Sequence, residues 1–303
     1  MDRIAFVFSG QGAQHPGMGE DFYQNSAAAA KLFDAAEDMR PGTMEQCFHG
    51  PDDVLKQTQN TQPCLYLADL SAALALDEAG IHAEAAAGFS LGELPALAYA
   101  GAYTETEGFA VTTKRGALMG ETATPDTAMY AILKLSNAAV EEICTHYTHI
   151  TPVNYNAPGQ LVISGDKTEL AEAAKEVKAA GGRAVPLAVS GAFHSPYMDE
   201  PAKAFANYLN QIEIKEPRIP VYANVNASPY TGRVQDTLSL QMNHPVRWEE
   251  TVRNMAAAGI TVFIECGVGN TLEKLIAKTV PDAKVFHVET MADVARVKEA
   301  LGE

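Results

Sequence analysis

The chain has 303 residues, 47% of them hydrophobic and 20% charged, enough for about two domains with cores of their own. Its 22 basic and 38 acidic residues leave a net charge of −16, which argues against a sequence-independent nucleic-acid binder and against adhesion to an anionic membrane. Four scattered cysteines with no CxxC speak against a disulfide framework or a zinc site and fit a reducing, cytoplasmic setting; neither a signal peptide nor a transmembrane run is expected.

The pattern predicts a buried strand over residues 4–8 that stops at Ser9-Gly10 and feeds a glycine-rich loop. The dinucleotide fingerprint GxGxxG fails there, because His15 stands where its third glycine belongs. Residues 20–40 and 63–80 have helical spacing, the second with Leu65, Leu67, Leu70, Leu74 and Leu76. Residues 83–87 are alanine-rich and weak by propensity, yet their position before the motif below predicts a strand. Helices are expected over 93–100, with Pro95 tolerated near the first turn, and over 105–121.

The texture changes between 126 and 190. Strands are predicted over 129–135, 151–156, 160–164 and 183–189, with helices over 137–147 and 167–180. That order, βαββαβ, is a split βαβ or ferredoxin-like unit. It predicts a small domain of residues 126–190 inserted into a discontinuous, α/β-hydrolase-like large domain of residues 1–125 and 191–303, built on a parallel sheet. The large domain resumes with helices over 197–212, 249–258 and 271–279 and strands over 221–224, 262–265 and 285–288.

Gly88-Phe89-Ser90-Leu91-Gly92 is a G-x-S-x-G between an expected strand and a helix. The chain must turn so tightly there that only glycines fit beside the serine, whose Oγ is then exposed with the next N–H aimed at a developing oxyanion. A glycine-flanked loop serine is the alternative. A serine nucleophile needs a base, and the candidate is His194 in Ser190-Gly191-Ala192-Phe193-His194-Ser195, at the expected end of a strand. A structural histidine is the plainer reading, His244 is the nearest competitor, and no acid stands out to orient the ring.

Eight separated segments make the chain recognisable. They are Phe8-Ser9-Gly10-Gln11-Gly12-Ala13-Gln14, Thr61-Gln62-Pro63, Gly88 to Glu93, Lys114-Arg115-Gly116, Pro152 to Gln160, Phe193-His194-Ser195, Asn243 to Trp248 and Glu265 to Gly269. With these the chain resembles the malonyl-CoA:acyl carrier protein transacylases and the acyltransferase domains of fatty acid and polyketide synthases, in the family's order from residue 4 to about 280. The resemblance implies Ser90 as the nucleophile and His194 as the general base. It implies an oxyanion hole from the Gln11 and Leu91 amides, and a Gln241 carbonyl that orients the histidine. Arg115 would grip the malonyl carboxylate with a two-pronged hydrogen bond that lysine cannot make; a solvated helix arginine is its plain alternative. Gln62, Asn156 and Gln160 would line the site. Two departures stand out: Ser9 replaces the family's usual proline, a change expected to be minor, and Phe89 replaces its usual histidine.

The resemblance thus implies ping-pong transfer of a malonyl group from malonyl-CoA to the phosphopantetheine thiol of an acyl carrier protein. No metal or redox cofactor is implied, and no nucleic-acid or membrane partner. Delivery in trans to a polyketide synthase, or acyl hydrolysis from a carrier on the same fold, is the alternative. A carrier protein of this kind is itself acidic, so a local basic patch is expected, with Lys114, Lys134, Lys167, Arg183 and Lys203 available.

Overall fold

The computed structural model describes residues 2–122, 124–189 and 191–302. Its nine strands, among the described residues, are β1 (Ile4–Phe8), β2 (Ala85–Gly88), β3 (Thr127–Leu133), β4 (Ile150–Ala157), β5 (Gln160–Asp166), β6 (Arg183–Pro186), β7 (Val221–Tyr222), β8 (Val262–Cys266) and β9 (Lys284–Val288). They form a parallel sheet in the order β7-β2-β1-β8-β9 and a separate antiparallel sheet in the order β4-β5-β3-β6.

The apolar run of β1 sits at the centre of the parallel sheet, where both faces are covered. Alternation along the strands divides the sheet between two cores. Phe6, Phe8 and Ala86 pack into one with the long helix Thr58–Glu78; Ala5, Val7, Ala85 and Ala87 pack into the other with Trp248, Val252 and Leu272. In the antiparallel sheet Ile132, Leu161 and Ile163 pack against the helices Asn137–Thr145 and Lys167–Ala179. β4 joins the rest of the fold at the segment before helix Trp248–Ala257, where Val246 N–H donates to Val153 O at 2.7 Å and Tyr155 N–H donates to Val246 O at 2.9 Å.

Most expected elements are present, with informative differences at their ends. The 20–40 stretch is two helices, because Ser26 takes up an extended backbone and caps Ala27–Met39 by accepting from Ala29 N–H. The long helix starts at Thr58, so Pro63 lies inside its second turn instead of opening it. The strand expected to reach 189 stops at Pro186, and Leu187 and Val189 line a cavity instead. Ser190, at the expected domain boundary, lies outside the described residues. Helices Thr43–His49, Asp52–Leu55, Val234–Leu238 and Met291–Leu301 had no sequence expectation. Among the described residues, no helix is long and apolar enough to cross a membrane.

Candidate active site

The site lies at the carboxyl ends of β1 and β2. These strands are parallel and adjacent, Phe8 beside Gly88, so the loop after each emerges at the same edge. Ser90 opens a tight turn after β2 with φ of 54°, a left-handed backbone that costs a serine energy. A Cβ on Gly88 would lie 1.8 Å from the Gly92 carbonyl carbon, and one on Gly92 would lie 2.2 Å from Phe8 O. Only glycine allows that approach. Asn224 pins the turn from outside: its Oδ1 accepts from Ser90 N–H at 2.8 Å and its Nδ2 donates to Gly88 O at 2.6 Å.

The turn aims Ser90 Oγ at His194 Nε2, 2.7 Å away. His194 is not at a strand end as expected; it sits in the loop beyond β6, also left-handed at φ 61°, held there as its N–H donates to Met242 O. Its Nδ1 lies 2.8 Å from the backbone carbonyl of Gln241. A carbonyl only accepts, so Nδ1 carries the hydrogen, Nε2 is free to accept, and the Ser90 hydroxyl donates to it. Burial first, and the Arg115 charge second, hold the His194 pKa down to about 4, so the ring is neutral at pH 7. His244, the competing histidine, turns its Nδ1 to Leu240 O and lies outside the cavity around Ser90.

Arg115, on the helix Glu105–Glu121, is 0% exposed and, among the described residues, forms no salt bridge. Its Nη1 donates to Gln62 Oε1 at 2.8 Å; its Nη2 donates to Gln241 Oε1 at 2.7 Å and to Ser90 Oγ at 3.2 Å; its Nε donates to Gln241 Oε1 at 3.2 Å. Four of five N–H groups thus meet neutral acceptors among the described residues, which leaves one hydrogen on Nη1. Burial lowers its pKa to about 10, still charged at neutral pH. A buried cation beside a serine, with no anion hydrogen-bonded to it among the described residues, has the chemistry to receive an anion.

Gln11, Leu91, Phe89, Met119, Met129 and Leu187 close a cavity of about 80 Å³ around Ser90, Arg115 and His194. Among the described residues, neither the Gln11 nor the Leu91 backbone N–H donates to a protein acceptor. Asn156 and Gln160, expected to line the site, border a neighbouring cleft of about 280 Å³ instead, farther along β4 and β5 from Ser90 than Asn154. Gln11, Phe89, Asn154 and Leu187 line both spaces and form the wall between them. Asn154, absent from the sequence expectations, is 8% exposed, and its Oδ1, like that of Asn156, has no partner among the described residues.

The two departures from the family pattern have visible contacts. Ser9 Oγ donates to the buried Asp69 carboxylate at 2.9 Å and so ties the start of the loop that carries Gln11 to the long helix. Phe89 packs edge-on against Trp248, ring centroids 5.7 Å apart. Of the basic residues, Lys134 and Arg183 sit at the end of the antiparallel sheet nearest Gln160, Lys167 sits at the opposite end, and Lys203 pairs with Glu200; they do not form one patch.

Residues 5–299 match the model of the acyl transferase domain. The chain is 35% identical over 294 residues to the malonyl CoA-acyl carrier protein transacylase of Synechocystis sp., covering 96% of this chain and 99% of that protein. The crystal structure of malonyl CoA-acyl carrier protein transacylase from Clostridium perfringens superposes with a TM-score of 0.96 at 31% identity, covering 99% of this chain and 97% of that one. A malonyl-transacylase in complex with its type II polyketide synthase acyl-carrier protein superposes with a TM-score of 0.94 at 32% identity, covering 99% of this chain and 100% of that one.

Proposed function

Since the chain belongs to the acyl transferase family, we propose that it carries a malonyl group from malonyl-CoA to the phosphopantetheine thiol of an acyl carrier protein through an ester on Ser90. The observation that carries the malonyl assignment is Arg115, a buried guanidinium with only neutral partners, 3.2 Å from the nucleophile. An acyl hydrolase acting on neutral chains has no use for that charge.

The steps follow from the geometry. Ser90 passes its proton to His194 Nε2 as Oγ attacks the thioester carbonyl. The negative oxygen is met by the Gln11 and Leu91 N–H groups. The imidazolium returns the proton to the departing CoA sulfur. The second half runs in reverse: the carrier thiol gives its proton to His194, its sulfur attacks the ester, and Ser90 recovers the proton. When the malonyl carboxylate arrives, it takes the Nη1–Nη2 edge of Arg115, using the spare Nη1 hydrogen and the Nη2 hydrogen that Ser90 Oγ releases. Serine and histidine supply nucleophile and base, so the transfer calls on no metal or redox cofactor.

The pantetheine arm would lie in the outer cleft, where Asn154 Oδ1 and Asn156 Oδ1 offer acceptors to its amide N–H groups. Lys134 and Arg183, at the end of the antiparallel sheet nearest Gln160, are the positive groups we assign to the acidic carrier. The strand order β4-β5-β3-β6 supports a ferredoxin-like reading of residues 126–190, and the nucleophile turn after a parallel strand supports an α/β-hydrolase-like reading of the remainder. Four buried, unpaired thiols support a cytoplasmic setting.

The test is the intact mass of the protein after mixing with malonyl-CoA, followed by a chase with holo carrier protein. Wild type gains one malonyl mass and loses it to the carrier, whereas Ser90→Ala gains none. A malonyl label on Ser90→Ala at the wild-type level refutes the assignment.

A further inference from the structure

Glu93 is the first residue of the helix that follows the nucleophile turn, and it is 0% exposed. A buried carboxylate is costly unless something compensates it. Here Oε1 accepts from the Tyr230 hydroxyl and from Asn224 N–H, and Oε2 accepts from Gln241 Nε2 at 3.0 Å. None of these partners is charged. The cation it faces is Arg115, on the other side of the same Gln241 side chain, which donates to Glu93 with its nitrogen and accepts from Arg115 with its oxygen. One carboxamide therefore stands between a buried anion and a buried cation.

That spacing has a purpose in a site that must receive a second carboxylate. A direct Arg115–Glu93 salt bridge would occupy the fork that the substrate needs. Without Glu93 the empty pocket would hold an uncompensated charge. With both carboxylates ionised, the occupied pocket would hold one excess negative charge in a low-dielectric space. Resting on the malonyl reading above, we propose that Glu93 is the resident counter-charge of Arg115, acting through Gln241, and that it takes up one proton from solvent when the substrate's own carboxylate pairs with the guanidinium. The proton bonds to a Glu93 carboxyl oxygen and stays there, and the Tyr230 oxygen, able to accept as well as donate, accepts the hydrogen bond from the new O–H.

The groups around Glu93 are consistent with that exchange. Arg115 faces it from the helix Glu105–Glu121, Tyr230 from the segment after β7, and Tyr103, whose hydroxyl donates to Leu94 O, from the loop before that helix; Gln241 and Asn224 are neutral, and His194 lies beyond Arg115. Burial raises the Glu93 pKa to about 7 against the pull of its hydrogen bonds and of Arg115, which sets it near the point of changing charge. A malonyl carboxylate removes the stabilising field of Arg115 and adds repulsion. Both effects raise the pKa further, so binding takes up a proton and malonyl affinity falls as pH rises above about 7. An acetyl group does neither.

The experiment is titration calorimetry on Ser90→Ala protein, which cannot be acylated, with malonyl-CoA and acetyl-CoA at pH 7.5 in Hepes and in Tris. The buffer dependence of the heat gives the protons exchanged. Malonyl-CoA should take up about half a proton or more beyond acetyl-CoA, and Glu93→Gln in the same background should abolish the difference. Equal proton numbers for the two thioesters, or unchanged malonyl uptake in Glu93→Gln, overturn the proposal; a purely structural glutamate would give such equality. The thioester comparison needs no change at Glu93, so it decides even where Glu93→Gln does not fold. Malonyl-CoA that binds without proton uptake sinks the counter-charge alone; absence of malonyl mass on wild-type Ser90 sinks the transferase reading and the counter-charge with it.

Discussion

Replacing Arg115 by alanine separates a malonyl transferase from a general acyl transferase. Malonyl and acetyl thioesters differ by one carboxylate at the far end of the acyl group, and Arg115 is the cation in the cavity that holds Ser90. Hydrogen bonds to charged groups contribute about 1.5–3 kcal/mol each. Two parallel ones give more, but the substrate carboxylate must leave water, and Arg115 must release its contact with Ser90 Oγ. A net of about 3 kcal/mol remains, on the order of a hundredfold in kcat/KM. Arg115→Ala should therefore lose malonyl transfer by at least about tenfold. Acetyl transfer should hold or rise, because the Arg115 charge, the second cause of the low His194 pKa, no longer opposes protonation of the base. Arg115→Lys should recover only part of the malonyl rate, since one ammonium cannot hold Gln62, Gln241 and a carboxylate in a single plane. The assay is the ratio of malonyl to acetyl kcat/KM for wild type and both variants. An unchanged ratio in Arg115→Ala would refute the carboxylate clamp.

Three other outcomes follow from the same site. His194→Ala should slow both CoA release and transfer to the carrier thiol, measured separately by rapid quench; slowing of only one half-reaction contradicts a shared base. Acetyl kcat/KM in wild type should stay level from neutral pH down to about 5 and fall only as His194 gains a proton near pH 4, while in Arg115→Ala the acid limb should move upward; a limb unmoved by the substitution means that Arg115 does not act on the base. Phe89→His should change the relative rates of malonyl, methylmalonyl and acetyl thioesters, because Phe89 forms part of the wall between the cavity and the cleft; unchanged ratios would make it a neutral packing residue.

The sequence carried the residues whose type is forced by local geometry. Gly88 and Gly92 are such residues, since any side chain there would overlap the backbone, and they located Ser90 between them. The five-strand order was not legible, because β7 and β9 join the sheet through contacts between distant segments. Asn224 was invisible for the same reason: nothing in its neighbourhood marks it, yet the fold brings it across 134 residues to hold the nucleophile turn. Asn154 was within reach. It lies two residues before Asn156, which the resemblance implied, and alternation along the predicted strand puts both on one face. Glu93 closes the Gly88 to Glu93 segment, but its buried hydrogen bonds depend on Tyr230 and Gln241, which arrive from elsewhere in the chain.

Gln241 shows why the site resists being read residue by residue. Its backbone carbonyl fixes the His194 tautomer, while its side chain accepts from Arg115 and donates to Ser90 O and Glu93. The backbone role survives almost any substitution, whereas the side-chain role needs a group that accepts at one end and donates at the other, which only an amide of this length provides here. On the proposed roles, activation of the nucleophile and choice of acyl group therefore hang from one residue through chemically independent atoms. A change at Gln241 that keeps the fold would leave the base oriented and disturb the guanidinium, so selectivity for the carboxylate would suffer before serine reactivity does.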